Sequence, residues 1–114
     1  MAVKQAAVRV IRWTGAQHPT LSAINHLMHK ENLRPYLWSP SANTRQAVRS
    51  HGYYRVLYVV EGTIEVILPD SNERVNLRVG DRLEVPAGIR HGIIVGGSGA
   101  KCLEASLRRS RASA

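Results

Sequence analysis

Two histidines and two arginines carry the chemistry that this sequence offers. His91 closes the run Gly80-Asp81-Arg82-Leu83-Glu84-Val85-Pro86-Ala87-Gly88-Ile89-Arg90, in which a glycine turn feeds a short strand and a Pro-x-Gly corner reverses the chain. Such a corner aims one imidazole toward whatever the flanking strands enclose. Upstream, Arg49, His51, Tyr53 and Arg55 stand two residues apart, which puts them on one face of a strand if no bulge intervenes. Imidazole titrates near neutral pH and serves as acid, base or metal ligand. Guanidinium keeps its proton, cannot ligate a metal, and presents a planar donor fork to carboxylate or phosphate.

The remaining reactive side chains point to structure. His26 and His29 lie three apart on a helical stretch, a spacing that metal ligands use, but with Lys30 beside them they read as a solvated face. His18 precedes a proline at a helix start and reads as punctuation. Cys102 sits in an apolar strand and reads as a buried, inert thiol. The glycine-rich Gly96-Gly97-Ser98-Gly99 lacks a following Lys-Ser/Thr and helix, so it reads as a hairpin loop and not a phosphate cradle. Tyr36 and Trp38 suit core packing, with the wall of a pocket mouth as the alternative. No nucleophile stands beside a base, so the residues name no reaction.

The elements that must position these groups are mostly short strands. Val3 to Trp13 reads as an edge strand. Thr20 caps a helix whose Leu21, Ile24, Leu27 and Met28 recur at helical spacing, and Asn32 with Pro35 ends it. Strands follow over Arg34 to Ser39, Gln46 to His51, Tyr53 to Val60, Thr63 to Leu68, Arg74 to Val79, His91 to Val95 and Ala100 to Leu107. Glu61-Gly62 reads as a turn. Tyr53 to Val60 is apolar on both faces, so it needs cover outside its own sheet. The N-terminal segment or a second subunit supplies that cover, and a homodimer through sheet packing is the expected arrangement. The chain divides into residues 1–44 (strand and helix packed on a barrel), 45–107 (barrel core) and 108–114 (a basic tail).

Composition removes several classes of function. With 114 residues, 44% hydrophobic and 21% charged, the chain suits one domain with a real core. Sixteen Lys and Arg against eight Asp and Glu give a net charge of +8. The arginines are scattered singly through strands, and the one dense group is Arg108, Arg109 and Arg111 at the C-terminus. With no basic helix and few aromatics, the charge favours a small anion over nucleic acid. One cysteine excludes an intrachain disulfide and any multi-cysteine metal site. No run approaches the roughly 18 apolar residues of a membrane helix. The charged N-terminus is unlike a signal peptide, so the cytoplasm is the expected compartment.

The residues also carry a resemblance. Gly80, Pro86, Gly88 and His91 match the fixed positions of the second motif of the cupins: Gly, five residues, Pro-x-Gly, two residues, His. Arg49, His51, Arg55 and Gly62 align with the first motif, in which His-x-His is followed by Glu and Gly. The spacing is kept, while two of its three ligand positions carry arginine. The chain thus resembles a small single-domain bacterial cupin over about residues 45–105. The resemblance implies an all-β fold, a double-stranded β-helix (jelly-roll) barrel with one short N-terminal helix. It also implies that the motif residues face into the barrel, bringing His51 near His91.

Three functions follow as expectations. The first is a pocket for a small anionic molecule lined by Arg49, His51, Tyr53, Arg55 and His91, over a partly degenerate metal site. The second is a metal-dependent enzyme, dioxygenase-like or isomerase-like, holding a divalent transition metal with His51, His91 and Glu104 as two imidazoles and a carboxylate. Two guanidinium charges beside a dication oppose this. The third is an accessory or sensory protein whose barrel is mainly scaffold; the structural alternative for Arg55 is pairing with Glu104 or Glu84 across the barrel.

Overall fold

The computed structural model describes residues 7–107. Along the chain these form β1 (Arg9–Ile11), α1 (Leu21–Lys30), β2 (Tyr36–Trp38), β3 (Arg45–Arg49), β4 (Tyr54–Leu68), a 3-10 turn (Pro69–Ser71), β5 (Glu73–Arg78), β6 (Arg82–Val85) and β7 (His91–Leu107). The frame is the antiparallel pair of long strands β4 and β7, which run together from Tyr54↔Leu107 to Ile67↔Gly92. β5 and β6 pair with β4, β2 and β3 pair with β7, and β1 lies outside β6. The result is the expected all-β jelly-roll barrel with one short helix.

Two glycine signals that read as turns lie inside continuous strands. The expected turn at Glu61-Gly62 is a bulge in β4, and the expected hairpin loop 96–99 is a bulge in β7. The register skips from Gly62↔Ala100 to Ile64↔Val95, so residues 96–99 stand against Thr63. Gly62 has φ +77°, and a Cβ there would lie 2.1 Å from the Gly99 carbonyl oxygen. Glycine is therefore needed for close approach of two backbones, and both strands bend without ending. The expected strand Val3 to Trp13 reduces, among the described residues, to Arg9–Ile11 on the edge of β6. The basic tail 108–114 lies outside the described residues.

The helix forms as its sequence predicts. The Thr20 side-chain oxygen accepts from the Ala23 backbone N–H at 3.1 Å, and Asn32 (φ 64°) turns the chain out of the last turn. Ile24 and Met28 are fully buried against Val56, Tyr58, Leu103 and Ala105, on the outer face of β4 and β7. Each such burial stabilises by about 1.5–3 kcal/mol. Leu57 and Val59, on the opposite face of β4, fill the barrel with Ile64, Leu83, Ile93 and Cys102. The N-terminal helix covers the doubly apolar strand at Val56 and Tyr58. Arg82 fastens the helix end to the barrel. It donates to both Glu31 oxygens at 2.9 Å and to Glu84 at 2.7 Å.

Candidate functional site

The Pro86–His91 corner positions both histidines. Gly88 takes the left-handed φ of +86° that a turn closing on Pro86 demands, and its N–H donates to the His51 carbonyl at 2.9 Å. That bond pins residues 50–53 against the corner. His91 then opens β7 opposite Arg49 on β3. The two imidazoles meet edge to face with centroids 5.5 Å apart, and the Tyr53 ring stacks on His51 at 4.8 Å. The proximity of His51 and His91 expected from the resemblance is observed.

Arg49, His51, Tyr53 and Arg55 do not share one strand face. β3 stops at Arg49 and β4 begins at Tyr54, so residues 50–53 leave the sheet between them. Arg49 is exposed, His51 and Tyr53 are half-buried, and Arg55 is 2% exposed. Arg55 therefore needs partners, and it has them. Its Nε donates to Glu104 Oε2 at 2.6 Å and its Nη2 to Oε1 at 2.9 Å. Its Nη1 donates to His91 Nε2 at 3.0 Å and reaches Gln46 Oε1 at 3.4 Å. Among the described residues no buried side-chain nitrogen or oxygen lacks a partner. Of the two carboxylates expected to pair with Arg55, Glu104 does so. Glu84 is held instead by Arg82, Arg9 and the Tyr54 hydroxyl.

These contacts fix the state of the imidazoles. Arginine only donates, so His91 Nε2 accepts and the ring proton sits on Nδ1, which donates to the Ile89 carbonyl at 3.0 Å. Burial, reinforced by Arg55 and His51, holds the His91 pKa below the ordinary imidazole value against the pull of the Ile89 carbonyl. His51 is lowered as well, by burial first, then by the positive charges of Arg55 and Arg49, with Glu104 opposing. Its ring nitrogens make no hydrogen bond among the described residues. Glu104 is consumed by Arg55, while Arg49 makes no ion pair among the described residues.

Gln46 joins the site although the sequence did not single it out, and Tyr36, for which core packing was expected with the pocket mouth as the alternative, lies beside it. Tyr36 pairs with Glu104 across β2 and β7 and is 57% exposed. Burial of its hydroxyl and the neighbouring Glu104 charge raise its pKa, keeping the phenol protonated. It stands at the rim and not in the core, whereas Trp38 packs on the barrel core as expected. Tyr36 and Gln46 come from β2 and β3, and the pairing of those strands with β7 brings them in.

The donor set does not fit a divalent metal. Both Glu104 oxygens and the His91 Nε2 lone pair, the atoms that would ligate, are held by one guanidinium. Among the described residues no three His, Cys, Asp or Glu side chains come together as a metal site. Elsewhere, Cys102 is buried and its thiol pKa is pushed up to about 12 by burial, so it stays protonated. His29 Nδ1 faces the Asn25 carbonyl of its own helix. No helix among the described residues is long and apolar enough to cross a membrane.

Comparison with known proteins bears on the fold. The cupin domain family matches residues 38–104, more than half of the chain. A DUF861 family protein from Thermotoga maritima superposes with a TM-score of 0.61 at 17% identity, covering 89% of this chain and 100% of its own. An RmlC-like cupin from Shewanella frigidimarina gives 0.57 at 26% identity, covering 68% of each chain. Salicylate 1,2-dioxygenase from Pseudoaminobacter salicylatoxidans gives 0.58 at 22% identity, covering 87% of this chain but 24% of that one. No curated protein sequence matches at a significant level.

Proposed function

This chain belongs to the cupin family, and on that premise we propose that it is a binding module for a small anionic molecule, with no metal in its site. The observation that carries this reading is the charge balance at the barrel mouth. Of the two arginines, Arg55 takes the Glu104 carboxylate. Arg49 is left at the rim as an uncompensated donor fork of the kind that grips carboxylate or phosphate. The stacked His51 and Tyr53 rings offer a flat face to such a molecule. Arg55 and His91 form the floor and orient what lies above them.

The alternative, a metal-dependent dioxygenase-like or isomerase-like enzyme, requires Glu104 and His91 to turn to a metal. Their bonds to Arg55 favour the binding module. A thermal-shift panel of inorganic phosphate, acetate, succinate, citrate and benzoate tests the proposal. At least one should raise the melting temperature of the wild-type protein and lose most of that effect in Arg49→Ala. No shift with any of them, or shifts indifferent to Arg49→Ala, would remove the anion reading.

A further inference from the structure

The edge strands β1 and β5 do not pair with each other: β1 pairs with β6, and β5 with β4. A cleft of about 580 Å3 lies between them, lined also by the 3-10 turn and by Ile89 and Arg90 of the corner. Its apolar lining is Val8, Val10, Leu68, Val75 and Ile89. All but Leu68 are only partly buried against the barrel core, so the cleft holds apolar surface that the described residues leave open to water. The chain has 16 Lys and Arg against 8 Asp and Glu, yet the charged lining is two carboxylates and one guanidinium: Asp70, Glu73 and Arg90. Strand alternation explains the inversion. Arg9 and Arg74 stand beside the lining residues Val8, Val10, Glu73 and Val75, and turn to the opposite faces, where they pair with Glu84 at 3.2 Å and Glu65 at 3.4 Å. Within the cleft, Arg90 donates to Asp70 at 2.7 Å. Glu73 accepts from the Ser71 hydroxyl at 2.7 Å and makes no ion pair among the described residues.

We propose that the cleft between β1 and β5 is a second binding site, for a small apolar molecule bearing one ammonium group. Its hydrocarbon part lies on the valines, Leu68 and Ile89, and its ammonium meets the Glu73 carboxylate. A concave apolar wall with a few polar groups at its edge is the usual form of a small-molecule site. Burial of methylene groups supplies the affinity, and Glu73 selects the sign of the charge. The site is separate from the paired histidines, because His91 turns to Arg55 while its neighbour Arg90 lines the cleft. It takes the opposite charge from the ligand proposed for Arg49.

The experiment is a titration of the full chain with butylamine, hexylamine, hexan-1-ol and hexanoate, read by calorimetry and by amide NMR shifts. Hexylamine should bind about tenfold tighter than butylamine, for two more buried methylenes. It should bind about threefold tighter than hexan-1-ol, as an exposed ion pair gives, with hexanoate weakest. The shifts should centre on Val8, Val10, Val75 and Ile89. Glu73→Gln should remove the preference for amine over alcohol and keep the dependence on chain length. Val75→Trp, which fills the cleft, should abolish binding of all four. Glu73 is exposed, so the glutamine variant carries the test if the tryptophan variant does not fold. The proposal is overturned by an absence of shifts at these residues, by hexanoate binding as tightly as hexylamine, or by an amine preference unchanged in Glu73→Gln. A dimer in light scattering that Val75→Asp converts to monomer would also overturn it, since a second copy would then occupy the cleft. None of these readouts depends on Arg49, so the outcome is separate from that of the anion proposal.

Discussion

The guanidinium of Arg55 grips both carboxylate oxygens of Glu104, at 2.6 and 2.9 Å, with its third nitrogen on His91 at 3.0 Å. Strands β4 and β7 are thereby tied through the barrel floor. Removing either partner alone strands a buried charge, so Arg55→Leu and Glu104→Leu should each destabilise by about 3–5 kcal/mol. The double variant Arg55→Leu/Glu104→Leu leaves no orphan charge and should recover much of that loss. Urea unfolding of the three proteins measures it. Single losses below about 1 kcal/mol, as for surface pairs, would mean the pair is not buried in solution.

The lowered pKa values of His91 and His51 set a pH dependence. A histidine whose folded pKa lies below its unfolded value, about 6.5, binds its proton more readily when unfolded. Its stabilising effect is complete above pH ~6.5 and is lost as the pH falls below that value. The urea midpoint should therefore drop between pH ~7 and pH ~5. In His91→Gln, whose side-chain oxygen can still accept from Arg55, that drop should be smaller. A midpoint that stays flat or rises on acidification contradicts the assignment of a neutral His91.

Arg49 and Arg55 look alike in sequence but differ in burden. Arg49 is exposed and makes no ion pair among the described residues, so Arg49→Ala should change stability by less than about 0.5 kcal/mol. Affinity for the best anion should fall about tenfold, the worth of a hydrogen bond to a charged group. Calorimetric titration separates the two effects. A large loss of stability in this variant would show that Arg49 is part of the fold.

Much of this was legible from local signals. Gly80, Pro86, Gly88 and His91 specify the corner through turn chemistry, and Thr20 with Asn32 bounds the helix, because caps and turns are decided by neighbours in the chain. The grouping of Arg49 with Arg55 was not legible. A two-residue spacing shares a face only while the strand continues, and residues 50–53 leave the sheet to be held by Gly88. Glu61-Gly62 and Gly96–Gly99 signalled turns because glycine marks any backbone with unusual φ or close approach, and a bulge needs both as much as a hairpin does. The partners of Arg55 were narrowed to Glu84 or Glu104. The choice between them depends on which strand lies across the barrel, which no local pattern states.

The bulge itself makes a prediction. Gly62→Ala would place a methyl group 2.1 Å from the Gly99 oxygen at a φ of +77°. The backbone must shift, and a loss of about 2 kcal/mol or more is expected in thermal or urea unfolding. Gly97→Ala, where an added Cβ meets nothing within 4 Å, is the control and should be close to neutral. Equal effects of the two substitutions would argue against the close approach of β4 and β7 at this point.

Arg55, and not a metal, is the cation that Glu104 and His91 hold. Elemental analysis of wild-type protein purified without chelator tests this most directly. The expected result is far less than one equivalent of any transition metal per chain, unchanged in His51→Ala/His91→Ala. Near-stoichiometric metal that disappears in that double variant would contradict it.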